Sequence, residues 1–302
     1  MVIRVGIIGL SEGNGHPFSF SAIINGYDAG AFAEAGWPVI LDYLKLQPAE
    51  YFGFGDARVT HAWTQDRDVT ARLCAACRIE TAVGAAEDML GQVDALIIGR
   101  DDWETHAALA MPFLKRGASV FVDKPLTLDM GELSQFEPYL RSGKLMSTAG
   151  LRYARELDAL REAPGRLGKI RLISAAVLNG ADRYGVHMLD AISSLGLGQV
   201  HRAMRRDAAH EAYALTLASG VPVNLDCLGA VGKTFHISVF GERGQLHADL
   251  YDNFSAFRRT LDRFFGMIRT GEPPIAPDEV MRTMRFLSRA RSMAPGDTVE
   301  ID

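Results

Sequence analysis

The N-terminal stretch is Val2-Ile-Arg-Val-Gly-Ile-Ile-Gly9-Leu-Ser-Glu-Gly13-Asn-Gly15-His16, an almost continuous apolar run followed by a glycine-rich turn. A run of this kind is typical of a strand buried on both faces of a parallel sheet. Residues 16–27 then have the pattern of a helix, with Pro17 suited to its first turn. A strand, a glycine-rich turn and a helix in this order predict the first unit of a doubly wound α/β domain.

The same alternation continues through the first half of the chain. Short apolar runs predict further strands, and the amphipathic segments between them predict helices. Alternating strands and helices form right-handed βαβ units around a parallel sheet. Residues 1–150 are therefore predicted to form a Rossmann domain. Its further predicted strands are 59–63, 95–99 and 119–122, and its further predicted helices are 67–77 and 104–115.

One segment interrupts this alternation. Residues 28–56 separate the first helix from the second strand and are rich in glycine, proline and aromatic residues. A loop of this length is usually functional or disordered, and its aromatic content argues against disorder. We expect an ordered insert beside the ligand-binding edge of the sheet or at a subunit contact. Trp37, Tyr43 and Phe54 are expected to form a small core of its own.

The pattern changes after about residue 150, where strands follow one another with short turns and helices return near the end. This order predicts a second, α+β domain over residues 151–302 with a largely antiparallel sheet. The predicted strands are 169–177, 213–218, 222–228, 235–241 and 244–248, and the predicted helices are 255–270 and 279–292. Arg202, Arg205 and Arg206 are interpreted as a solvated run of charge near a turn.

Composition excludes several classes of protein. The 302 residues are 48% hydrophobic and 23% charged, with 32 Lys plus Arg against 37 Asp plus Glu, so a nucleic-acid-binding protein is not expected. Neither a membrane-spanning run nor a signal peptide is expected. Three cysteines fit a reducing compartment, so we expect a cytoplasmic protein. The histidines are scattered and Cys74-Ala-Ala-Cys77 is a single pair, so no metal site is expected.

The glycine-rich turn occupies the place where a dinucleotide pyrophosphate binds. Glycines there allow a tight turn, close approach of the backbone and access to the helix N-terminus. Ser11 and Asn14 replace the second and third glycines of the G-x-G-x-x-G pattern, whereas Gly13 and Gly15 supply a shifted alternative. The motif alone leaves open a turn without a ligand. The candidate cofactor residues here are Gly9, Ser11, Gly13, Asn14, Gly15 and His16, the last of which contacts phosphate or only caps the helix.

The end of the second strand bears on the choice between NAD and NADP. A carboxylate at this position binds the ribose hydroxyls and selects NAD. Thr64 holds the position here, with Gln65 and Arg67 following, and a hydroxyl beside a guanidinium tolerates a 2′-phosphate. We therefore favour NADP, although Asp66 can reverse this preference. The alternative is an ordinary helix cap.

Two further segments carry candidate catalytic groups. Lys124 ends a predicted parallel strand, at the edge of the sheet where ligands bind, and a desolvated lysine near a nicotinamide can move a proton. His187 and Asp190 lie one turn apart on a predicted helix, which suits a proton donor with its orienting carboxylate. The alternatives are a solvated lysine at a strand end and a core histidine on a helix capped by Asp182.

Together these segments resemble the glucose–fructose oxidoreductase / inositol dehydrogenase / MocA (Gfo/Idh/MocA) family over the whole chain. Asp123-Lys124-Pro125 resembles the Glu-Lys-Pro signature of that family. Residues 100–106 resemble the family's Thr-Pro-x-x-x-His segment, and Leu151-Arg152-Tyr153 resembles its Arg-Phe/Tyr segment. Gly185-Val-His187-x-x-Asp190 resembles its Asp-x-Gly-x-His-x-x-Asp segment, and residues 265–292 resemble its C-terminus.

The resemblance implies a Rossmann domain, then a substrate domain whose open sheet builds homodimers or homotetramers. It further implies NAD(P)-linked hydride transfer at a carbinol carbon of a sugar, sugar nucleotide or cyclic polyol. Lys124 and His187 then match the catalytic lysine and histidine, with Asp190 and Tyr184 beside them. The residues implied for the cofactor also include Arg100, Asp101, His106, Asp123, Lys124 and Pro125, and those for the substrate are Lys124, Arg152, Tyr153, Asp182, Arg183 and His187.

One departure from the family pattern concerns the substrate. Arg183 stands where the family has an aspartate four residues before the histidine. A cation there either alters proton transfer at the catalytic groups or binds an anionic group of the substrate. Tyr184 or Asp182 can replace the missing acid.

Two alternatives to a dehydrogenase stay open. One is a non-catalytic regulatory protein that binds a dinucleotide or a sugar on the same fold. The other is an enzyme of the same family that acts on an imine or a C=C bond. Because Lys124 and His187 are kept, we favour the dehydrogenase.

Overall fold

The structure is a computed structural model and describes residues 2–301. The chain divides into two compact units, and the main change from one to the other falls at Ser147–Thr148. In addition, residues 128–133 belong to the second unit and residues 257–275 to the first, which the sequence pattern did not indicate. The first unit comprises residues 2–127, 134–147 and 257–275, and the second comprises 128–133, 148–256 and 276–301.

Six strands form the sheet of the first unit: β1 (Ile3–Ile8), β2 (Ala57–Trp63), β3 (Thr81–Ala82), β4 (Ala95–Ile98), β5 (Ser119–Val122) and β6 (Leu145–Ser147). They are all parallel, in the order β3-β2-β1-β4-β5-β6. This is the strand order of the dinucleotide-binding Rossmann fold, so the predicted doubly wound sheet is confirmed. β4 and β5 are buried along their whole length, which explains their uninterrupted apolar sequence.

Helices connect these strands. They are α1 (His16–Asn25), α2 (Ala29–Ala33), α3 (Pro38–Lys45), α4 (Arg67–Cys77), α5 (His106–Lys115) and α6 (Met130–Arg141). The side chain of Asp66 caps α4, where it accepts hydrogen bonds from the N–H groups of Asp68 (2.7 Å) and Val69 (3.1 Å). The capping alternative considered for this residue is therefore correct.

The insert over residues 28–56 is ordered and contains α2 and α3. Its aromatic side chains do not form a core of their own, as the sequence suggested. The ring of Trp37 lies 6.0 Å from that of Phe18 on α1, and the hydroxyl of Tyr43 hydrogen-bonds to the same helix. Phe54 packs against Phe265, with ring centroids 4.9 Å apart. The insert is therefore part of the hydrophobic core of the first unit.

The second unit contains a seven-stranded sheet in the order β12-β11-β7-β10-β9-β8-β13. Neighbouring strands are antiparallel except β7 and β10, so the prediction of a largely antiparallel sheet is confirmed. The strands are β7 (Ile170–Val177), β8 (Val200–Arg205), β9 (Glu211–Leu217), β10 (Pro222–Cys227), β11 (Phe235–Gly241), β12 (Gly244–Asp249) and β13 (Thr298–Glu300). The remaining helices of the chain are α7 (Asp158–Glu162), α8 (Val186–Ser193), α9 (Asn253–Thr270) and α10 (Pro277–Ala290).

The arginine run that was expected to be a solvated segment near a turn lies instead on and beside β8. The guanidinium of Arg205 is stacked over the ring of Tyr213, 4.8 Å from its centroid, and Arg206 pairs with Asp226 of β10. Alternating basic and apolar residues on a short strand produce no clear apolar run, so β8 escaped the prediction.

Side chains alternate across the second sheet. In β7, Ile173, Ala175 and Val177 are buried, whereas Ser174 and Ala176 between them are half-exposed. The sheet therefore has one covered face and one more open face. None of the helices within residues 2–301 is long and apolar enough to cross a bilayer.

Candidate active site

The turn between β1 and α1 is closed by a hydrogen bond from the N–H of Asn14 to the carbonyl of Ser11, 3.1 Å long. Gly13 at its tip has φ +74°, a conformation that favours glycine. Glu12 and Gly13 are exposed, and within residues 2–301 no protein group accepts their backbone N–H. Paired N–H groups at such a turn can bind a phosphate.

Side chains of this turn are hydrogen-bonded to two buried carboxylates. Asp101 follows β4 and accepts a hydrogen bond from the hydroxyl of Ser11 (2.5 Å), which in turn accepts the N–H of Asp101 (3.1 Å). Asp123 follows β5, and its Oδ2 accepts from the amide of Asn14 (3.0 Å) and lies 2.5 Å from Nδ1 of His16. The residues that replace two glycines of the G-x-G-x-x-G pattern are thus bonded to carboxylates at the ends of two neighbouring strands.

The first turn of α1 offers few donors to a ligand. The N–H of His16 donates to the side-chain oxygen of Asn14 (2.9 Å), and Pro17 has no N–H. The N–H of Phe18 donates to the carbonyl of Gly15 (3.0 Å). The donors available for a pyrophosphate therefore lie in the turn rather than at the helix N-terminus, where they usually are.

Gly9 and Gly15 are required for packing. A Cβ atom at Gly9 would clash with the ring of Pro17, and one at Gly15 would lie within 2.6 Å of Trp37 and Ile40 of the insert. The insert therefore fixes the position of the turn from the side. Gly9 and Gly15 therefore allow the close packing that supports the glycine-rich turn.

Lys124 is 3% exposed and lies between the two carboxylates. Its Nζ is 3.5 Å from Oδ2 of Asp101, and its backbone N–H donates to Oδ1 of Asp123 (2.9 Å). Burial alone would raise the pKa of Asp123, but the charges of His16 and Lys124, with hydrogen bonds from His16 and Asn14, lower it to about 2. Asp123 is therefore ionised at neutral pH. Pro125 follows through a cis peptide bond.

Arg100 and His106 are buried near the carboxyl edge of the sheet and bond to neighbouring protein groups. Arg100 is buried and forms an ion pair with Asp102, in which Nε donates over 2.8 Å. His106 is fully buried, with Nδ1 2.9 Å from the carbonyl of Leu126 and Nε2 3.1 Å from that of Arg100. Burial lowers the pKa of His106 in spite of these partners. His106 thus joins the segments after β4 and β5, so any effect on a cofactor is indirect.

The end of β2 differs from the expectation for the ribose site. Thr64 is buried, and its hydroxyl donates to the carbonyl of Asp66 (2.6 Å), so it is not available to a 2′-phosphate. Gln65 is exposed and forms two hydrogen bonds of 2.7 Å with the backbone of Leu10. Gln65, Asp66 and Arg67, all exposed, are therefore the polar groups at this strand end that a nucleotide can meet.

In the second unit, α8 carries His187 and Asp190, as the spacing predicted. Oδ2 of Asp190 accepts hydrogen bonds from the hydroxyl of Thr148 (2.8 Å) and the N–H of Ala149 (2.6 Å). Burial raises the pKa of Asp190 to about 6, although the charge of Arg152 and these hydrogen bonds lower it. Asp190 therefore attaches α8 to the segment at 148–149. The spacing between Asp190 and His187 did not indicate this role.

His187 is 9% exposed and lies between two aromatic rings. Its centroid is 5.8 Å from that of Tyr184 and 5.3 Å from that of Phe235, which it meets edge-on. The preceding residues, Ala181–Gly185, form one turn of π-helix, a feature often found at functional sites. On this turn Arg183 is exposed and Asp182 and Tyr184 are half-exposed, so the turn presents polar groups beside the buried histidine.

Arg152 has a partner that no motif predicted. It forms an ion pair with Glu279 of α10, and both side chains are about nine-tenths buried. An arginine that is neutralised in this way is better placed to hold α10 than to receive a substrate. Tyr153, beside it, is half-buried.

The cysteine pair shows no sign of redox or metal chemistry. Cys74 and Cys77 are free thiols on α4, and burial raises the pKa of Cys74 to about 11 and that of Cys77 well above its usual range. Within residues 2–301 no group of three or more His, Cys, Asp or Glu side chains could hold a metal ion.

The parallel strand order and the glycine-rich turn after β1 are features of a dinucleotide-binding Rossmann domain. Residues 3–151 match a family model described as "Oxidoreductase family, NAD-binding Rossmann fold". This part of the chain therefore matches the Gfo/Idh/MocA family of oxidoreductases. The resemblance drawn from Asp123-Lys124-Pro125 and the other segments is therefore confirmed, as is the oxidoreductase class.

Solved structures share the fold over the whole chain at low sequence identity. A myo-inositol 2-dehydrogenase from Lactobacillus plantarum is 16% identical, with a TM-score of 0.75 and 100% of both chains covered. A scyllo-inositol dehydrogenase from Lactobacillus casei, solved with NAD(H) and scyllo-inositol, is 15% identical, with a TM-score of 0.72 and 99% of both chains covered. A myo-inositol dehydrogenase from Corynebacterium glutamicum is 16% identical, with a TM-score of 0.73 and 100% and 99% covered. No curated protein sequence matches the chain.

Proposed function

We propose that the chain is an NAD(P)-dependent dehydrogenase or reductase acting on a carbinol or carbonyl carbon of a sugar, sugar nucleotide or cyclic polyol. The observation that carries this proposal is the buried Lys124, paired with Asp101 at the carboxyl edge of a Rossmann sheet. Ligands of open α/β sheets bind at that edge. The structural neighbours that act on inositols support a polyol as the substrate class.

The residues at this edge fit a dinucleotide. The exposed N–H groups of Glu12 and Gly13 would hold the pyrophosphate, and Gln65 and Arg67 would meet the adenosine ribose. When bound, the cofactor supplies the hydride acceptor or donor. With Thr64 buried, the exposed guanidinium of Arg67 is what supports NADP, whereas the NAD(H)-bound neighbour supports NAD.

Side chains of the protein carry out the proton transfer. Lys124 takes the hydroxyl proton of the substrate during oxidation and returns it during reduction. His187, with Tyr184 beside it, is the candidate proton donor of the second unit. Arg183, exposed on the π-helical turn, is suited to an anionic group on the substrate, such as a carboxylate or phosphate.

We also propose that the protein is cytoplasmic and forms a homodimer or homotetramer through the open face of the second sheet. Free, buried thiols suit a reducing compartment. Small side chains in the middle of the open face, such as Ser174, Ala176 and Ala214, leave a flat surface that a second sheet can approach.

The test begins with titration of the protein by NADH and NADPH, followed by nicotinamide fluorescence. A panel of inositols, sugars and sugar nucleotides is then offered with the oxidised cofactors. Lys124→Met should abolish turnover and leave cofactor binding within about threefold, whereas Lys115→Met at the end of α5 should change neither. Unchanged turnover in Lys124→Met would contradict the assignment. Cofactor and sugar binding with no turnover on any substrate would favour the regulatory protein.

A further inference from the structure

A proton taken up by Lys124 has to leave a buried site. The side chain is 3% exposed, so the amine meets little bulk water. Repeated turnover requires that each proton from the substrate reaches solvent before the next cycle. A buried base therefore needs neighbouring groups that exchange protons in sequence.

Asp101 and Ser11 provide a continuous set of such groups. Oδ2 of Asp101 is 3.5 Å from Nζ of Lys124, and Oδ1 is 2.5 Å from the hydroxyl of Ser11. Asp101 is 7% exposed, whereas Ser11 lies half-exposed on the glycine-rich turn. The series Lys124–Asp101–Ser11 thus leads from the buried amine to the protein surface.

Sequence supports a joint role for the two residues. Ser11 occupies a glycine position of the G-x-G-x-x-G pattern, and Asp101 follows β4 in a segment where the family has Thr-Pro. Neither glycine nor proline has a side chain that exchanges protons. These two departures lie 90 residues apart in the chain, and their side chains are hydrogen-bonded to each other. The other carboxylate oxygen of Asp101 lies beside the candidate catalytic lysine.

Asp123, the second carboxylate beside Lys124, makes its side-chain hydrogen bonds to the glycine-rich turn. Asp123 accepts the backbone N–H of Lys124 and is bonded to Asn14 and His16. Behind it, His106 bonds to two backbone carbonyls. Asp101 has a different arrangement, because one of its carboxylate oxygens faces the amine and the other faces a hydroxyl.

We propose that Asp101 and Ser11 are positioning residues that carry the substrate proton from Lys124 to solvent. The proposal rests on the function proposed above. During oxidation Nζ of Lys124 first gives a proton to Oδ2 of Asp101, and the neutral amine then takes the substrate proton as the O–H bond breaks. The carbinol C–H bond breaks as hydride passes to the nicotinamide, which is reduced while the carbon becomes a carbonyl.

The carboxyl group of Asp101 then rotates and presents its proton to Ser11. The hydroxyl of Ser11 accepts this proton and releases its own to water, so Asp101 is again a carboxylate and Lys124 again an ammonium. Each cycle therefore delivers one proton to solvent and one hydride to the cofactor. Carbonyl reduction uses the same groups in the opposite direction.

The first test is Asp101→Asn in the full chain, with the substrate and cofactor identified by the panel. Asparagine keeps the shape and can accept the Ser11 hydrogen bond, but it cannot take a proton. We expect kcat to fall by about 100-fold or more, the range for loss of a proton-transfer group. The Kd for NADH should stay within about threefold, and the solvent deuterium isotope effect on kcat should rise.

Two further variants distinguish proton transfer from support of the fold. Asp101→Gly leaves a space for formate. If the site needs a carboxylate, added formate should raise the kcat of this variant at least tenfold. Ser11→Ala should lower kcat less than Asp101→Asn because water can replace a hydroxyl near the surface. Asp94→Asn, just before the opposite end of β4, should match the wild type.

The outcomes separate the two proposals. Wild-type kcat in Asp101→Asn, or a loss that formate does not restore in Asp101→Gly, would overturn the relay alone. A rise in the Kd for NADH that equals the loss of kcat would also overturn it, because Asp101 would then act in cofactor binding. A wild-type chain that binds NADH but converts no carbinol or carbonyl would overturn the proposed function, and the relay with it.

Discussion

Nδ1 of His16 lies 2.5 Å from Oδ2 of Asp123, and this hydrogen bond joins the start of α1 to the end of β5. In the usual phosphate-binding turn the backbone alone makes this approach, through glycines. Here side chains of the turn are hydrogen-bonded to the carboxylate of Asp123, which is 2% exposed. The position of the turn therefore depends on the ionisation of a buried acid.

Asp123→Asn should destabilise the first unit at neutral pH. The pKa of Asp123 falls from 3.8 to about 2 on folding, so its ionised form stabilises the native state above pH 4, and this contribution is lost as the pH falls toward 2. The shift corresponds to about 2 kcal/mol in the free energy of unfolding. Urea unfolding at pH 7 and pH 2.5 would measure it. An equal effect at both values would contradict the electrostatic origin.

Asp190→Asn should have the opposite pH dependence. The pKa of Asp190 is raised from 3.8 to about 6 by burial, so the native state holds its proton more tightly and loses stability as the pH rises from 4 through 6. Asparagine can still accept from Thr148 or Ala149 without carrying the charge. We expect the variant to match or exceed wild-type stability at pH 8, by up to about 3 kcal/mol, and to lose this advantage at pH 4. Lower stability at pH 8 would contradict the prediction.

Arg67→Ala should alter the choice of cofactor. If the exposed guanidinium meets a 2′-phosphate, its removal should weaken NADPH binding by about tenfold and leave NADH binding nearly unchanged. Fluorescence titrations of both cofactors would measure the ratio. Arg72→Ala, an exposed arginine on the same helix, is the matched control. Equal effects on the two cofactors would show that Arg67 does not select NADP.

Substitution of Gly13 should separate backbone strain from phosphate binding. Gly13→Ala has open space around its Cβ but must adopt φ +74°, which costs about 1 kcal/mol for an L-residue. Asparagine adopts this conformation more readily, so Gly13→Asn should bind NADH more tightly than Gly13→Ala. Titration with NADH and urea unfolding of both variants would compare them. Equal affinities would contradict the prediction, because strain that is the same in the free and bound turn lowers the stability without changing the affinity.

The sequence predicted the elements that carry a strong apolar pattern. β1, β4 and β5 are short and predominantly apolar, and α1 and α4 begin at the predicted residues. β3 and β13 were missed because two or three residues form no period, and α6 was also missed. Short elements in a sheet form because a neighbouring strand offers hydrogen bonds, which no local pattern records.

The candidate site was predicted residue by residue but not as a set of partners. Lys124, His187 and the glycine-rich turn were found from their place after strands and on helices. The bond between Ser11 and Asp101 and the ion pair between Arg152 and Glu279 join positions that are far apart in the chain. Such pairs depend on strand order and helix packing, so they become visible only once the sheets are assembled.

The attachment of the glycine-rich turn to Asp101 and Asp123 constrains how this protein can change. Returning Ser11 or Asn14 to glycine, one at a time, would leave a buried carboxylate without one of its donors. Each single change would lower the stability of the fold, whether or not it improved phosphate binding. Positions 11, 14, 101 and 123 therefore form a unit in which mutations are epistatic, and an engineered change of this turn has to alter both sides together.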